Sequence, residues 1–311
     1  MTHARFRTGI ESVADTHPAL LKGQRVGLVS HPAAITSSGI ATLDLLASAC
    51  GGRLTALFGP EHGYYGAATA GETVAQSRHR RLGIPIFSLY GKHRKPTPAM
   101  LARVDTLVVD LQDLAARPYT YVSTLRLALE AAAEAGKRVI VADRPIPLPN
   151  VIDGPVAEEP LSSFVAMVPF PVAYGMTQGE AARAIAKSLD INVDLHVGKM
   201  AGYGRDWERQ PEWPDWIPPS PGIKSWESAT CYTSTVWCEA LPSIDYGRGT
   251  ALQFRVIGAK WMKGAQVSEY MNGLKLAGVS FSPHPYYPAM YSGGAELLDG
   301  VRMHVSDGDA F

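Results

Sequence analysis

The stretch VDTLVVDLQDLAARPYTYVSTLRLALEAAAEAGKRVIVAD, Val104 to Asp143, decides the fold. It opens with a short, near-continuous apolar run ending at Asp110. A helical run follows from about Thr120 to Ala135, and the chain then returns to a second β-branched run, RVIVA, closed by Asp143. Strands that are apolar throughout rather than alternating are buried on both faces, and a helix between two of them makes the pair parallel. The same rhythm runs back toward the N-terminus. RVGLVS (Arg25 to Ser30), the helical-period segment GIATLDLLASA (Gly39 to Ala49), LTALFG (Leu54 to Gly59) and IPIFSLY (Ile84 to Tyr90) repeat it. The pattern predicts an α/β fold, a doubly wound parallel sheet with helices on both faces.

Downstream, MTQGEAARAIAKSL opens a further helix, with Thr177 and Glu180 at capping-box spacing. The texture changes after about Asp190. A segment dense in Trp, Pro and Gly, including PEWPDWIPPSPGIKSWES, suits neither a regular helix nor a central strand. A boundary near residue 190 is therefore expected, with residues 1–190 forming the sheet domain. Residues 191–311 would form a smaller α+β domain, with TALQFRVIGAKWM, a helix around Gln266 to Ala277 and GVSFSPHPYYP as its regular pieces.

Composition narrows the function classes. The chain has 311 residues, 46% hydrophobic, and its 29 basic and 29 acidic side chains cancel. With no basic run interleaved with aromatics, nothing draws it to nucleic acid or to an anionic membrane. Its three cysteines match neither a zinc site nor a disulfide framework. No membrane span is legible and the first residues lack the apolar core of a signal peptide. The chain as given reads as cytoplasmic, and as secreted or periplasmic if a signal peptide has been removed. Glycines 59, 63, 66 and 71 form no dinucleotide or Walker pattern, so no nucleotide cofactor is expected.

In an open parallel sheet, ligands bind beyond the carboxyl ends of the strands. Three strand candidates deliver polar groups to that edge: Glu61 and His62 after LTALFG, Asp110 and Asp113 around LVVD, and Asp143 with Arg144 after RVIVA. Strand-end aspartates also serve as caps and turn residues, whereas glutamate is a poor cap. Two carboxyl groups are the equipment for glycoside hydrolysis, one protonated for the leaving oxygen and one ionised to activate water or attack the sugar. The same groups are also compatible with a hard metal ion, although no ligand spacing supports one. Arg117, Tyr119 and Tyr121 in RPYTYVSTL are candidates for lining a sugar site, and the tyrosines equally suit a helix core. Arg248 in DYGRGT stands between two glycines that let a guanidinium approach a ligand closely.

Longer motifs carry a resemblance. GLVSHPAAIT, LFGPEHGYYG, PIFSLYGKHRKPTPAML, VDTLVVDLQDLAARPYTYVSTL, VIVADRPIPL, MTQGE, PSPGI and GRGT followed by IGAKW occur in the order found in the DUF1343 family, and the chain resembles its NamZ-type exo-β-N-acetylmuramidases over nearly its whole length. The resemblance implies a Rossmann-like domain joined to a smaller second domain, with the active site in the cleft between them. It also implies release of N-acetylmuramic acid from the non-reducing end of peptidoglycan fragments, with Glu61 as catalytic acid/base and no cofactor. Asp110, Asp113 and Glu239 remain open as the second carboxylate. The chain departs from the family pattern in reading PSPG (Pro219 to Gly222) for PSPN and DRPIP (Asp143 to Pro147) for DRPNP. Its EALPSIDYGRGT segment, from Glu239, lacks the family's Asn. Amide side chains are thus missing from the expected cleft, which leaves a non-catalytic carbohydrate-binding protein as one alternative; the inventory of Glu61, His62, Asp110, Asp113 and Asp143 leaves a metal-dependent hydrolase as another.

Overall fold

The structure, a computed structural model, describes residues 5–289 and 296–311. In chain order its elements are α1 (Gly9–Thr16), β1 (Val26–Ser30), α2 (Thr42–Ala49), β2 (Leu54–Gly59), β3 (Ser77–Arg78), β4 (Pro85–Ser88), α3 (Pro98–Leu101), β5 (Thr106–Asp110), α4 (Tyr121–Glu134), β6 (Arg138–Ala142), α5 (Gln178–Ser188) and β7 (Asp194–Gly198). There follow α6 (Trp226–Thr235), β8 (Val256–Ala259), α7 (Gly264–Gly273), β9 (Val279–Pro283) and β10 (Asp299–Val305). The first seven strands form one sheet in the order β3-β4-β2-β1-β5-β6-β7. All its pairings are parallel except that of the short edge strand β3 with β4.

The apolar runs build this sheet because both faces are covered. On one face Leu28, Leu57, Val108 and Ile140 pack with Ile10 and Val13 of α1 and Leu43 and Leu46 of α2. On the other, Val29, Phe58, Val109 and Val141 meet Leu125 and Leu129 of α4 and Ala182 and Ile185 of α5. Truncating a fully buried side chain such as Leu125 to alanine costs about 2–5 kcal/mol. The box predicted at Thr177 caps α5: Thr177 Oγ1 accepts from the Glu180 amide at 3.4 Å, and Glu180 Oε2 accepts from the Thr177 amide at 2.9 Å.

The sheet continues beyond residue 190. β7 pairs with β6 in register from Arg138↔Asp194 to Ala142↔Gly198, so the boundary expected there falls between α5 and a strand of the same sheet. DLHVG is half-buried at an edge, which gives it none of the apolar continuity that marks the inner strands.

The remaining strands form a three-stranded antiparallel sheet, β8-β10-β9, carrying α7. α6 and the loops after it join the two parts. Tyr232, Val236, Tyr246 and Phe254 are buried in the same hydrophobic cluster as α4, so a continuous core holds the second part against the first. Among the described residues no helix is long and apolar enough to cross a membrane.

Candidate active site

The turn after β2 is shaped by close backbone approach. A Cβ on Gly59 would lie 2.3 Å from the Tyr64 amide nitrogen, so only glycine lets the chain fold back over the strand end. His62 (φ 70°) and Gly63 (φ 77°) complete the reversal in left-handed conformations. Glu61 is thereby held 8% exposed at the wall of a cleft, its Oε2 accepting from Thr120 Oγ1 at 2.6 Å and its Oε1 from the Gly71 amide at 3.0 Å. Thr120 immediately precedes α4, which ties the β2 turn to the far side of the sheet. His62 lines the same cleft and donates through Nδ1 to the Ala68 carbonyl at 2.8 Å.

The opposite wall comes from the second part of the chain. A single 3₁₀ turn after α6, Val236–Ala240, presents Glu239, and the following loop presents Tyr246 and Arg248. Gly247 (φ 72°) and Gly249 (φ 80°) flank the arginine. Between the walls lies a cavity of about 280 Å³, floored by Tyr119, Tyr232 and the segment Ser220 to Ile223. Tyr119 and Tyr232 meet edge to face at 5.6 Å.

The Glu239 carboxyl is open to the water of the cleft, yet the walls around it remove enough solvent to raise its pKa above the ordinary glutamate value. The charge of Glu61 across the cleft pushes the same way, while the Tyr246 phenol and the Arg248 guanidinium partly oppose the shift. Glu61 and Glu239 thus face one cavity and feel each other electrostatically. Tyr90, also in the wall, has its phenol pKa raised by burial and by the adjacent Glu61 carboxylate.

Several expected site residues lie elsewhere. Asp110 is fully buried and pairs with Arg144, whose Nε and Nη2 donate to it at 2.5 and 2.9 Å, while Thr42 Oγ1 donates at 2.5 Å. Arg144 also donates to the Ile35 carbonyl at 2.8 Å. The two residues therefore form an internal ion pair rather than a catalytic acid and a substrate ligand. The pair fills the crevice between β1 and β5 where the strand order reverses, the place an open sheet ordinarily offers to a ligand. Asp113 is buried beneath the cleft floor, accepting from the Leu114 amide at 2.9 Å and from the Tyr174 hydroxyl, and burial pushes its pKa up to about 6. Asp143 caps α5, accepting from the Gly179 amide at 2.6 Å, with its pKa likewise raised to about 6 by burial.

Arg117 points away from the cavity and clasps the carbonyls of Pro155 and Phe170 at 2.7 and 2.8 Å. Tyr121 is core, donating its hydroxyl to the Pro219 carbonyl at 2.6 Å. Of the residues expected to do chemistry or bind sugar, Glu61, His62, Tyr119, Glu239 and Arg248 line the cleft.

His31 explains part of this arrangement. The Gln112 amide donates to its Nε2 at 2.8 Å, so Nδ1 carries the hydrogen and donates to the Pro219 carbonyl at 3.3 Å. Burial, reinforced by the charge of Arg144, drives its pKa down to about 3, so it stays neutral. Together with Tyr121 it anchors the Pro219 end of the PSPG segment that floors the cleft. Sequence reasoning passed over Thr120, Tyr90, Tyr246 and Gln253. Tyr246 alone carried a hint, standing two residues before Arg248.

Among the described residues no three His, Cys, Asp or Glu side chains converge as a metal-ligand set. A Rossmann-like sheet and a smaller domain each bring one glutamate to a shared cleft, an arrangement that fits the glycoside hydrolase class, and the family matches place the chain in that class. The chain belongs to the NamZ exo-β-N-acetylmuramidase family: its N-terminal model matches residues 26–227 and its C-terminal model residues 230–311. The peptidoglycan β-N-acetylmuramidase NamZ of Bacillus subtilis is 39% identical over 99% of this chain and 74% of its own length. A crystal structure of a DUF1343 family protein from Bacteroides fragilis superposes with a TM-score of 0.90 at 37% identity, covering 98% of this chain and 79% of that one. A second from the same organism gives 0.76 at 27% identity, over 96% and 76%.

Proposed function

We propose that the protein is an exo-acting glycosidase that releases N-acetylmuramic acid, or a closely related amino sugar, from the non-reducing end of peptidoglycan fragments. The observation that carries this reading is the pair Glu61 and Glu239, one from each domain, facing a single cavity. Glu61 is the acid/base. Its 2.6 Å contact with Thr120 suits that role, because the hydroxyl donated to one carboxyl oxygen, with the Gly71 amide donated to the other, fixes the side chain's orientation in the cleft wall. Glu239 is the second carboxylate, supporting the positive charge that develops on the sugar by activating water or by direct attack. Arg248 takes the lactyl carboxylate that distinguishes muramic acid from glucosamine, and Tyr119 and Tyr232 offer ring faces to the sugar.

The test uses Glu61→Gln and Glu239→Gln against a chromogenic β-N-acetylmuramide and a muramyl disaccharide. Loss of a positioned proton donor costs about 10²–10⁴-fold. Glu61→Gln should lose more on the disaccharide, whose leaving oxygen needs protonation, than on an activated aryl leaving group. Full turnover by either variant removes that residue from the mechanism.

A further inference from the structure

Two distant segments meet where the floor of the cleft joins its wall, at Gly222 and Gln253. Gln253 is 8% exposed, and its Oε1 accepts from the Gly249 amide at 3.0 Å, one residue beyond Arg248. That bond sets the orientation of the amide: the oxygen faces the Arg248 loop and the nitrogen faces Gly222. A Cβ built on Gly222 would lie only 2.6 Å from Nε2 and 3.2 Å from the Phe254 ring. The Gln253 amide therefore stands in the space that any side chain at 222 would claim. Among the described residues, Nε2 donates to no protein acceptor.

An amide nitrogen in the lining of a ligand cleft, on a residue otherwise buried and with its oxygen already committed, is a donor awaiting an acceptor. We infer that Gln253 is a substrate-binding residue whose Nε2 donates to the acetamido carbonyl of the sugar in the cleft, with glycine at position 222 leaving the space that the amide occupies. The inference rests on the muramidase reading, and the chemistry of that sugar supports it. In N-acetylmuramic acid the acetamide and the lactyl ether occupy neighbouring ring carbons, C2 and C3. The protein offers its guanidinium and its amide from one loop, coupled through Gly249. A carboxylate held by Arg248 would bring the acetamide toward the Gln253 side of the same wall.

The experiment measures binding of N-acetylmuramic acid and of muramic acid, which has a free amine at C2, by calorimetry. Wild type, Gln253→Ala and Gly222→Ala are compared, the last displacing the amide without altering Gln253. A neutral donor removed from a desolvated carbonyl weakens binding about tenfold. Both variants should lose about that factor for N-acetylmuramic acid and less than about twofold for muramic acid. Unchanged affinity for N-acetylmuramic acid overturns the inference. So does an equal loss for both sugars, the signature of a loop loosened at Gly249. If wild type binds and cleaves muramides while the variants match it, only this inference fails; if wild type binds neither sugar, the muramidase reading fails with it.

Discussion

Replacing Asp110 by asparagine takes the charge from a fully buried carboxylate at the end of β5 and leaves the Arg144 guanidinium, 3% exposed, without a counter-ion. Removing one partner of a buried ion pair costs about 3–5 kcal/mol, because the remaining charge stays desolvated. Asparagine keeps one acceptor oxygen for Arg144, and the Thr42 hydroxyl can rotate to accept from the new amide, which places the cost near the lower figure. Melting temperature falls by roughly 2–4 °C per kcal/mol in domains of 150–250 residues, so about 6–12 °C is expected for Asp110→Asn. The assay pairs a thermal melt and a urea titration at pH 7 with muramidase turnover at 20 °C per folded molecule. Turnover should stay within about threefold of wild type, since Asp110 does not reach the cleft, and the double variant Asp110→Leu/Arg144→Met should recover part of the stability by leaving no buried charge. A hundredfold loss of turnover at wild-type stability would refute the reasoning and return Asp110 to the catalytic machinery.

Arg248→Ala should lower kcat/KM for muramides about ten- to a hundredfold, the worth of a charge-assisted pair, while sparing residual action on the matching glucosaminides. Equal loss on both, with a lower melting temperature, would make Arg248 a turn residue instead. The same variant removes a positive charge that holds the Glu239 pKa down, so the acidic limb of the kcat/KM profile should move to higher pH; an unmoved limb would exclude Glu239 as its origin. Asp113, with a folded pKa of about 6, resists ionisation, so its contribution to stability is lost as pH rises through 6. Asp113→Asn never ionises and should gain on wild type by up to ~3 kcal/mol between pH 4 and pH 7 in urea titrations. A difference that is flat with pH would contradict the buried-acid assignment. Exhaustive chelation should leave turnover unchanged, and loss restored by a divalent metal would favour a metallohydrolase.

The sheet was legible because its inner strands are apolar on both faces and the helices between them keep their own period, so local pattern and global packing agree from Val26 to Ala142. Glu61 was legible as well, since glycine at 59 and 63 and a glutamate with no capping role mark a turn built to present a side chain. β7 was not, because an edge strand half open to water has no apolar run to show.

In the sequence, Asp110 and Asp143 stand beside Glu61 as acids at or just beyond strand ends, and only the tertiary structure shows that the two aspartates are committed to internal partners. β5 ends at the switch point against β1, where Arg144 and Thr42 close over Asp110; Asp143 meets the start of α5; and the β2 turn opens to the cleft shared with the second domain. Glu239 was marked only by the family resemblance of the segment it opens, and the packing of α6 and its following loops against the first domain is what sets it across from Glu61. The meeting of Gly222 with Gln253 is of the same kind. Whether a cleft wall holds an amide depends on which side chain occupies the shared space, and residues 31 positions apart share it only once the chain has folded.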